Sequence, residues 1–508
     1  MARFPLAIPP GLYRDGTQYQ SRGRYFDANL VRWYGSAPSL VVGQGGAGAT
    51  LGPINGWVRK GTATLTGLAR AAISWRDNSK NAWLGVGTHS KLYVCNRLGV
   101  AFDITPAGFT AGRADATASG GYGSGPYGAS SYGTPRADTT TTINDATQWT
   151  LDTWGEDLLG VSPDDRKLYE WVAPTTGTPG ARVTNSPLCD AVVVTAERFV
   201  FALGTSDPRT LNWCDQENDT VWTPSSTNQA GSFPLQTPGR LICGQRVRGG
   251  TLLLTGQDAW MATYIGGTLV YGFDRVGDSC GAISRGCVAS FEQQAAWMGS
   301  DLSFWLWNGG GVVPLRCDVL DYIRLDINPI QKSKTVAIVN SANFEIEWRY
   351  CSGSSTEIDR CVVWQYKDNY WNIGRAARTC GIDKSDLFSN PVLIASDGKL
   401  YDHELGWAYG GASPYAITGP IELGNGDNIM WVMGLYPDDA TVGDVMASFR
   451  VRRNADDMPA SLGPYSLAAK TDLRFSGGMI EVTFTGAAMN DWRIGVPKLD
   501  VVPGEGRG

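Results

Sequence analysis

Short apolar runs alternate with tight polar turns through most of the chain. In one recurring pattern, two apolar runs flank a turn and the second run carries an aromatic residue. Copies of this pattern occupy residues 82–96, 157–171, 199–213, 251–265, 295–309, 362–374 and 391–404. Short apolar runs separated by turns rich in Gly, Asp, Ser and Pro are typical of antiparallel hairpins. The pattern therefore predicts a repeated β-hairpin.

The spacing of the copies predicts how the hairpins are arranged. From 157 to 295, successive copies begin 42, 52 and 44 residues apart, whereas the last two intervals are 67 and 29 residues. A period of about 40–50 residues, with several strands in each unit, is typical of a β-propeller blade. We therefore predict an all-β fold built on a propeller of six or seven blades. An array of β-sandwiches is the alternative.

Changes in this pattern divide the chain into five parts. The predicted order is an N-terminal extended segment at 1–60, a first blade at 61–106, an insertion at 107–148, the remaining blades at 149–410 and a C-terminal β-domain at 411–508. The C-terminal part has strands that alternate with turns but lacks the hairpin signature, which indicates a separate domain.

The insertion and one helix interrupt the strands. Residues 120–133 read GGYGSGPYGASSYG, a composition that cannot bury enough apolar surface to fold alone, so a long surface loop between blades is expected. In 317–328, apolar residues share one helical face, with Asp318 placed to cap the helix. That face consists of Val319, Leu320, Ile323 and Ile327.

Composition supports the β prediction and limits the function classes. Only 18% of residues are charged, while the chain has 64 Gly, 26 Pro, 19 Trp and 20 Tyr. The net charge is −6 and no basic stripe is visible, which argues against autonomous nucleic-acid binding. The start, MARFPLAIPPG, has no apolar run long enough for a secretory signal, and no window approaches a membrane span. We expect synthesis in a cytoplasm.

Ten cysteines occur without a CxxC spacing, so neither a zinc ribbon nor a redox pair is indicated. Their even number would allow disulfides. Reduced, buried thiols in strands are favoured because no secretion signal is present.

The titratable residues predict no catalytic site. His89 and His403 each lie in a repeat hairpin without a nucleophile elbow, which favours structural roles. Three pairs of adjacent aspartates read as turn residues: Asp164 and Asp165, Asp438 and Asp439, and Asp456 and Asp457. A propeller glycosidase would draw its carboxylates from different blades, however, and residue spacing does not exclude that.

No cofactor or metal site is predicted either. The acidic run DQENDTVW at 215–222 lacks the pattern of a calcium loop, so a polar turn is favoured. The glycine-rich stretches GYGSGPYG and GQGGAG lack the residues of a phosphate loop and read as connectors. The dense aromatic residues could stack sugars or bases, but packing between blades is favoured. They are Trp305, Trp307, Trp364, Tyr366, Tyr370 and Trp371.

Segments from both ends and the middle of the chain resemble one viral family. The opening GLYRDGTQYQSRGRYFDANLVRWYGSAP is similar to its N-terminal signature, with Gly23, Arg24, Asn29, Arg32 and Gly35 in place. The further matching segments are GVGTHSKLYV, FDITP, YGSGPYG, LDTWGEDLLG, TLNWCDQENDTVWTP, GFDRVGDSCGAIS, AWMGSDLSFWLWNGG and DWRIGVPKLDV. Together they resemble the tail nozzle, or hub, proteins of short-tailed bacteriophages, which are also called packaged-DNA stabilization proteins.

The resemblance implies a structural virion protein. A homohexameric ring would sit beneath the head-to-tail adaptor, continue the DNA channel, help to retain packaged double-stranded DNA without reading its sequence, and dock tail fibres or spikes. It would belong to the virion tail, be assembled in the host cytoplasm, and act without catalysis, cofactor or metal. The alternative is a carbohydrate-binding or carbohydrate-cleaving propeller that acts on host surface glycans.

Overall fold

The computed structural model describes residues 2–35, 49–119, 142–267, 269–423, 428–454, 456–486 and 490–506. The Gly/Tyr/Ser stretch 120–133 and GQGGAG at 43–48 lie outside these residues. The first five strands belong to three different parts of the fold. They are β1 (Ala2–Pro5), β2 (Tyr25–Asn29), β3 (Val31–Tyr34), β4 (Thr50–Pro53) and β5 (Trp57–Thr64).

Seven four-stranded antiparallel sheets follow in the chain, each running from an inner to an outer strand. Blade I contains β6 (Ala69–Arg76), β7 (Ala82–Thr88), β8 (Leu92–Asn96) and β9 (Ala101–Asp103). A two-stranded ribbon of β10 (Thr117–Ser119) and β11 (Thr142–Asn144) comes next. Blade II contains β12 (Thr150–Trp154), β13 (Asp157–Val161), β14 (Leu168–Trp171) and β15 (Ala181–Arg182). Blade III contains β16 (Ala191–Val194), β17 (Val200–Leu203), β18 (Thr210–Trp213) and β19 (Gly231–Pro234).

The remaining blades repeat this plan. Blade IV contains β20 (Leu241–Val247), β21 (Gly250–Thr255), β22 (Ala259–Gly266) and β23 (Val270–Gly277). Blade V contains β24 (Val288–Phe291), β25 (Gln294–Met298), β26 (Phe304–Trp307) and β27 (Val312–Leu315). Blade VI contains β28 (Val336–Asn340), β29 (Glu345–Tyr350), β30 (Arg360–Gln365) and β31 (Tyr370–Gly374). Blade VII contains β32 (Arg378–Ile382), β33 (Val392–Ala395) and β34 (Lys399–His403).

The innermost strands contact their neighbours in a closed circle, with β32 of blade VII against β6 of blade I. The fourth strand of blade VII is β5, which pairs Trp57 with His403 and Thr64 with Lys399. This pairing joins the start of the propeller to its end. The protein is therefore a seven-bladed β-propeller, which confirms the predicted fold class, and β5 crosses the predicted boundary at residue 60.

The two faces of the propeller differ in their connections. Strands alternate in direction within each blade, so turns between first and second strands and between third and fourth strands share one face, here called the hairpin face. The opposite face, here called the crossover face, carries the connections from each outer strand to the next inner strand.

The C-terminal β-domain is a pair of sheets that includes strands from the N-terminal segment. Its further strands are β35 (Tyr415–Thr418), β36 (Ile421–Glu422), β37 (Asn428–Tyr436), β38 (Val445–Arg452), β39 (Ala460–Ser466), β40 (Thr471–Gly477), β41 (Met479–Gly486) and β42 (Lys498–Gly506). One sheet has the order β1-β42-β37-β40, and the other has β2-β35-β41-β38-β39, with β36 also on β41. Alternating burial along β37 and β38 directs one face of each sheet inward.

The described residues contain one α-helix, α1 (Leu320–Asp326), on the connection between blades V and VI, and three short 3-10 turns, Gln18–Ser21, Lys332–Lys334 and Ser341–Asn343. The predicted face is confirmed, since Val319, Ile323 and Ile327 are buried. The predicted cap is wrong. Val319 occupies the N-cap position, and Asp318 instead lies 3.5 Å from Arg24.

Aromatic side chains fill the spaces between blades. Trp171 of blade II meets Trp83 of blade I edge-on, with ring centroids 5.4 Å apart. Tyr271 of blade IV packs on Phe201 of blade III at 4.8 Å. Such contacts stabilise a pair by about 0.5–1.5 kcal/mol beyond the area they bury. Of the six aromatic residues considered for stacking, four are buried, and Trp305 and Tyr366 are partly exposed.

Candidate functional site

The centre of the propeller contains a cavity of about 250 Å³. All seven innermost strands contribute to its wall, mostly through apolar residues and backbone. Three arginines and one aspartate supply charge: Arg70, Arg246, Arg285 and Asp152. The cavity is the closed inner part of a channel along the propeller axis.

The two ends of the insertion close this channel at the crossover face. We call residues 112–119 and 142–149 the stem. Within it, Arg113 N donates to Thr147 Oγ1 at 2.7 Å, and β10 pairs with β11. Ala116, Thr147 and Gln148 are buried. The expectation of a surface loop is therefore wrong at both ends of the insertion, because these ends pack into the propeller.

A charge network around two buried cations, Arg70 and Lys334, fixes the stem to blades I and VI. Arg70 donates two hydrogen bonds of 2.7 Å to the carboxylate of Glu357 and a third of 3.0 Å to the carbonyl of Ala114. Lys334, fully buried, donates to Asp115 and lies 3.8 Å from Glu357. Burial acts to raise the pKa of Glu357, but the hydrogen bonds and charge of Arg70 hold it below its ordinary value. Glu357 is therefore ionised at neutral pH.

Amide groups complete the closure. Gln331 Oε1 accepts from Ala116 N at 3.0 Å, and its Nε2 donates to Ala116 O at 2.8 Å. On the other side of the stem, Gln148 Oε1 accepts from the backbone N–H groups of Arg285 and Gly286. Buried polar groups are costly unless they are paired, and these hydrogen bonds pair the backbone of Ala116 and the side chain of Gln148.

Within the cavity, Asp152 accepts from Arg246 at 2.9 Å and from Val194 N at 2.7 Å. Burial nevertheless raises the pKa of Asp152. Burial and the nearby Arg240 lower the pKa of Arg285, whose Nε donates to the carbonyl of Asp190 at 3.1 Å. Arg285 forms no ion pair with the described residues. Its guanidinium gives the cavity the chemistry to accept a small anion.

At the hairpin face the channel widens into an open cleft of about 500 Å³. Three rings meet at its edge. Tyr366 lies 4.7 Å from Phe291 and 5.8 Å from Phe344, measured between ring centroids. Phe344 has a φ of 56°, a left-handed conformation that costs a bulky residue free energy. Glu292 and Asp383 supply carboxylates in the same cleft.

A second charge cluster joins the N-terminal segment to the propeller. Arg32 donates to both oxygens of Glu345, at 2.6 and 2.7 Å, and to Glu404 at 2.7 Å. Burial alone would lower the pKa of Arg32, but the two glutamates raise it well above its ordinary value. Asn29 Oδ1 accepts from Arg375 N at 2.8 Å. These contacts anchor the segment to blades VI and VII.

Both histidines accept hydrogen bonds from groups inside the propeller. His89 Nδ1 accepts from Leu68 N at 3.0 Å, and burial together with Arg70 lowers its pKa. His403 Nε2 accepts from Arg378 Nε at 2.9 Å and stacks on Trp57. Burial and Arg378 hold the pKa of His403 well below its ordinary value, so both rings are neutral at pH 7.

The adjacent aspartates serve turns and ion pairs. Asp164 pairs with Arg113 at 2.8 Å, and Asp165 with Lys167 at 2.9 Å. Asp438 accepts from Val496 N at 2.7 Å, and Asp457 accepts from Asn454 N at 2.8 Å.

The acidic run at 215–222 forms a turn in which Asp215 accepts from Gln229 N at 2.7 Å. Its Asp219 is buried and lies near Glu170 and Asp157 of blade II. Burial, followed by the charges of Asp219 and Asp157, raises the pKa of Glu170 to about 7. Among the described residues, no three His, Cys, Asp or Glu side chains are arranged to hold a metal ion.

All ten cysteines are buried free thiols, which confirms the favoured prediction. Burial raises the pKa of each, for example that of Cys95 to about 12. No helix among the described residues is long and apolar enough to span a membrane.

Sequence reasoning missed the network that closes the channel. The one signal was Arg70, a single charge in the otherwise apolar run LARAAISW. Its partners Glu357, Lys334 and Asp115 lie far from it in the chain, so no local pattern links them.

No family model and no curated protein matches this sequence. Solved structures similar to the chain include virginiamycin B lyase from Staphylococcus aureus, with 6% identity over 67% of this chain and 97% of that one, and a TM-score of 0.42. The Pan2 WD40 domain from Neurospora crassa has 10% identity over 68% and 94%, with a TM-score of 0.36. An exo-β-1,3-galactanase from Phanerochaete chrysosporium has 9% identity over 88% and 100%, with a TM-score of 0.31. At these values the likeness carries no inference about function.

Proposed function

We propose that the chain is the nozzle subunit of a short bacteriophage tail. Six copies form a ring beneath the portal and its adaptor, continue the DNA channel, help to retain packaged DNA and dock tail fibres or spikes. The subunit works by shape and self-association, without bond-making chemistry.

The main support for the proposal is where residues of the N-terminal signature lie in the structure. The family resemblance depends in part on these residues. Arg24, Asn29 and Arg32 of the N-terminal signature contact the propeller, while the same segment supplies β1 and β2 to the C-terminal domain. A ring subunit that bears load between its neighbours needs its domains held in one orientation. Removing one partner of a buried ion pair typically costs about 3–5 kcal/mol, so the Arg32 cluster resists separation of the domains.

Because each propeller channel is closed at one end, DNA would pass elsewhere in the proposed ring. The stem fills the crossover end of each channel, so the proposed passage lies on the ring axis, between copies. With a net charge of −6, the chain has no excess of cations to hold phosphates, and weak phosphate contact favours sliding.

The test is sedimentation of the purified chain with the portal–adaptor assembly of its virus. Six copies should co-sediment with each assembly. Arg32→Met should bind much less, because Glu345 is left buried without its cation while Glu404 keeps only partial compensation from Asn340. Arg316→Met, at a side chain 83% exposed, should bind normally. A wild-type chain that never co-sediments contradicts the proposal.

A carbohydrate-binding or carbohydrate-cleaving propeller is the second candidate. The observation that favours it is the hairpin-face cleft, where Phe344 and Tyr366 lie beside Glu292 and Asp383. Aromatic faces with adjacent carboxylates suit sugar rings. Release of sugar from host glycans by the isolated chain, abolished by Asp383→Asn or Glu292→Gln, would support this function in place of the nozzle. The same release by both variants would point to a contaminating enzyme.

A further inference from the structure

One arginine of the central cavity has no counter-ion among the described residues. Arg285 lies on the connection from blade IV to blade V, lines the cavity and is partly exposed. Burial is nevertheless the main cause of its lowered pKa. A residue that lies deep in the protein and is still partly exposed faces internal space, and the cavity is that space.

Hydrogen bonds hold Arg285 in position. Its backbone N–H donates to Gln148 Oε1 at 3.1 Å, and its Nε donates to the carbonyl of Asp190 at 3.1 Å. A guanidinium has five N–H donors. The four on the two terminal nitrogens have no acceptor among the described residues, so they are oriented by the protein and available to a ligand.

The carboxylates near Arg285 are already paired with other arginines. Those that act on its pKa are Asp190 and Asp145. Asp190 pairs with Arg166 at 2.8 Å, and Asp145 pairs with Arg240 at 2.5 Å. Neither carboxylate is therefore left to neutralise Arg285.

The other two arginines of the cavity wall are neutralised as well. Arg246 pairs with Asp152 at 2.9 Å, and Arg70 donates two hydrogen bonds of 2.7 Å to Glu357. Arg285 is left as the surplus positive charge of the cavity. A charge held away from bulk water is costly unless it is paired, so the cavity is suited to one anion.

The cavity wall also offers backbone donors and enough space. Each innermost strand pairs with a neighbour on one side only, so its other edge turns backbone N–H groups toward the axis. The cavity has a volume of about 250 Å³, whereas a single water needs about 10–15 Å³. An ion the size of phosphate therefore fits.

A ligand reaches the cavity from the hairpin face. The stem closes the crossover end, whereas the cavity is continuous with the hairpin-face cleft. Gln245, Val288 and Ala337 line both spaces.

We infer that the propeller cavity binds one small oxyanion on the guanidinium of Arg285. A guanidinium donates two parallel hydrogen bonds to two oxygens of one carboxylate or phosphate group, a geometry that a spherical halide does not match. The ligand is therefore a phosphate or carboxylate anion rather than chloride. The site lies within one chain and does not depend on the proposed ring.

The experiment is isothermal titration calorimetry of the full chain with inorganic phosphate and, separately, with acetate. Sodium chloride keeps the ionic strength constant and supplies chloride as a competitor. Wild type should bind one anion per chain, and the tighter of the two identifies the ligand as a phosphate or a carboxylate. Calorimetry is preferred to thermal shifts because phosphate stabilises folded proteins without occupying a site.

Removing the guanidinium should weaken this binding. Arg285→Met should raise the dissociation constant at least about 10-fold, since it removes the charge and its donors. Arg316→Met is the control, at a side chain 83% exposed outside the cavity, and should bind as wild type does.

A second variant should change the affinity in the opposite direction. Asp152→Asn removes the negative charge of the cavity and leaves Arg246 without its partner, while the amide oxygen can still accept from Val194 N as the carboxylate does. The dissociation constant should fall at least about 3-fold. A purely structural role for Arg285 would give no such gain.

Three results would overturn the inference. They are a wild-type chain that binds neither anion, equal binding by wild type and Arg285→Met, and an Asp152→Asn chain that binds no more tightly than wild type. Because the last comparison needs only Asp152→Asn, it decides the question even where Arg285→Met does not fold.

Discussion

The two ends of the propeller channel are built on different principles. At the crossover face the chain closes the channel with its own stem, and the buried cations Arg70 and Lys334 are paired with Glu357 and Asp115. At the hairpin face the channel opens into a cleft edged by aromatic rings, and Lys384 there is exposed. The closed end stabilises the fold, and the open end presents surface that a partner can reach.

The two ends also differ in how they shift the pKa of a nearby glutamate. Glu357 at the closed end has a pKa below its ordinary value, so it contributes stability at neutral pH that is lost as the pH falls. Glu170, on blade II toward the hairpin face, has a pKa raised to about 7 because it is buried near Asp219 and Asp157. Lowering the pH therefore weakens the interactions of Glu357 at the closed end. Near the open end it relieves the repulsion of Glu170 by Asp219 and Asp157.

Disrupting the closed end should have the largest effect. Arg70→Met leaves the largely buried Glu357 carboxylate without its main partner and with Lys334 3.8 Å away. It should lower the free energy of unfolding by about 3–5 kcal/mol. Guanidinium denaturation measures this. Lys384→Met at the open end should change the same quantity by less than about 0.5 kcal/mol.

A double variant separates the effect of an unpaired charge on stability from the effect of the altered side-chain volume. Arg70→Met combined with Glu357→Leu removes both charges and should recover much of the lost stability, since apolar replacement of a buried pair is often neutral. A loss of less than 1 kcal/mol for Arg70→Met alone, on the order of an exposed pair, would contradict a structural role for the network.

A smaller effect, opposite in its pH dependence, is expected from Glu170. Its pKa in the folded protein lies above the unfolded value, so the stability it contributes is complete below about pH 4.5 and is lost as the pH rises to about 7. Glu170→Gln should therefore raise the free energy of unfolding at pH 8 by about 2 kcal/mol. Denaturation at pH 5 and pH 8 should show the gain mainly at pH 8.

The control for Glu170 is Asp444→Asn, at an exposed aspartate. It should change stability equally at both pH values. An equal gain from Glu170→Gln at pH 5 and pH 8 would show that ionisation is not the cause.

The smallest effect is expected at the aromatic edge of the open end. Phe344→Gly loses ring contact with Tyr366 but relieves a left-handed backbone that costs a non-glycine residue about 1–2 kcal/mol. The two terms oppose, so thermal unfolding should shift by only a few degrees. A loss as large as that of Arg70→Met would show that the edge stabilises the fold rather than serving as accessible surface.

The sequence predicted the blades where their hairpins are local. Six of the seven hairpin copies coincide with the second and third strands of a blade, as 251–265 does with β21 and β22. The copy at 362–374 instead matches β30 and β31, the outer strands of blade VI. The central hairpin of that blade has a connection at 351–359 in place of a tight turn. This explains the irregular spacing of the last copies.

Long-range pairings could not be predicted in this way. The pairing of β5 with β34 closes the propeller across more than 300 residues, and β1 pairs with β42 at the other end of the chain. Side-chain patterning indicates that a segment is a strand but not which distant strand it joins. The Arg70 network and the Arg32 cluster both join residues that lie far apart in the chain.

The most direct test of the central claim is a symmetric cryo-electron microscopy reconstruction of the chain bound to its portal–adaptor assembly. The account predicts six copies around an axial passage, each with its own propeller channel closed by the stem. An assembly without a ring of this chain, or DNA running through the propeller channel itself, would contradict it.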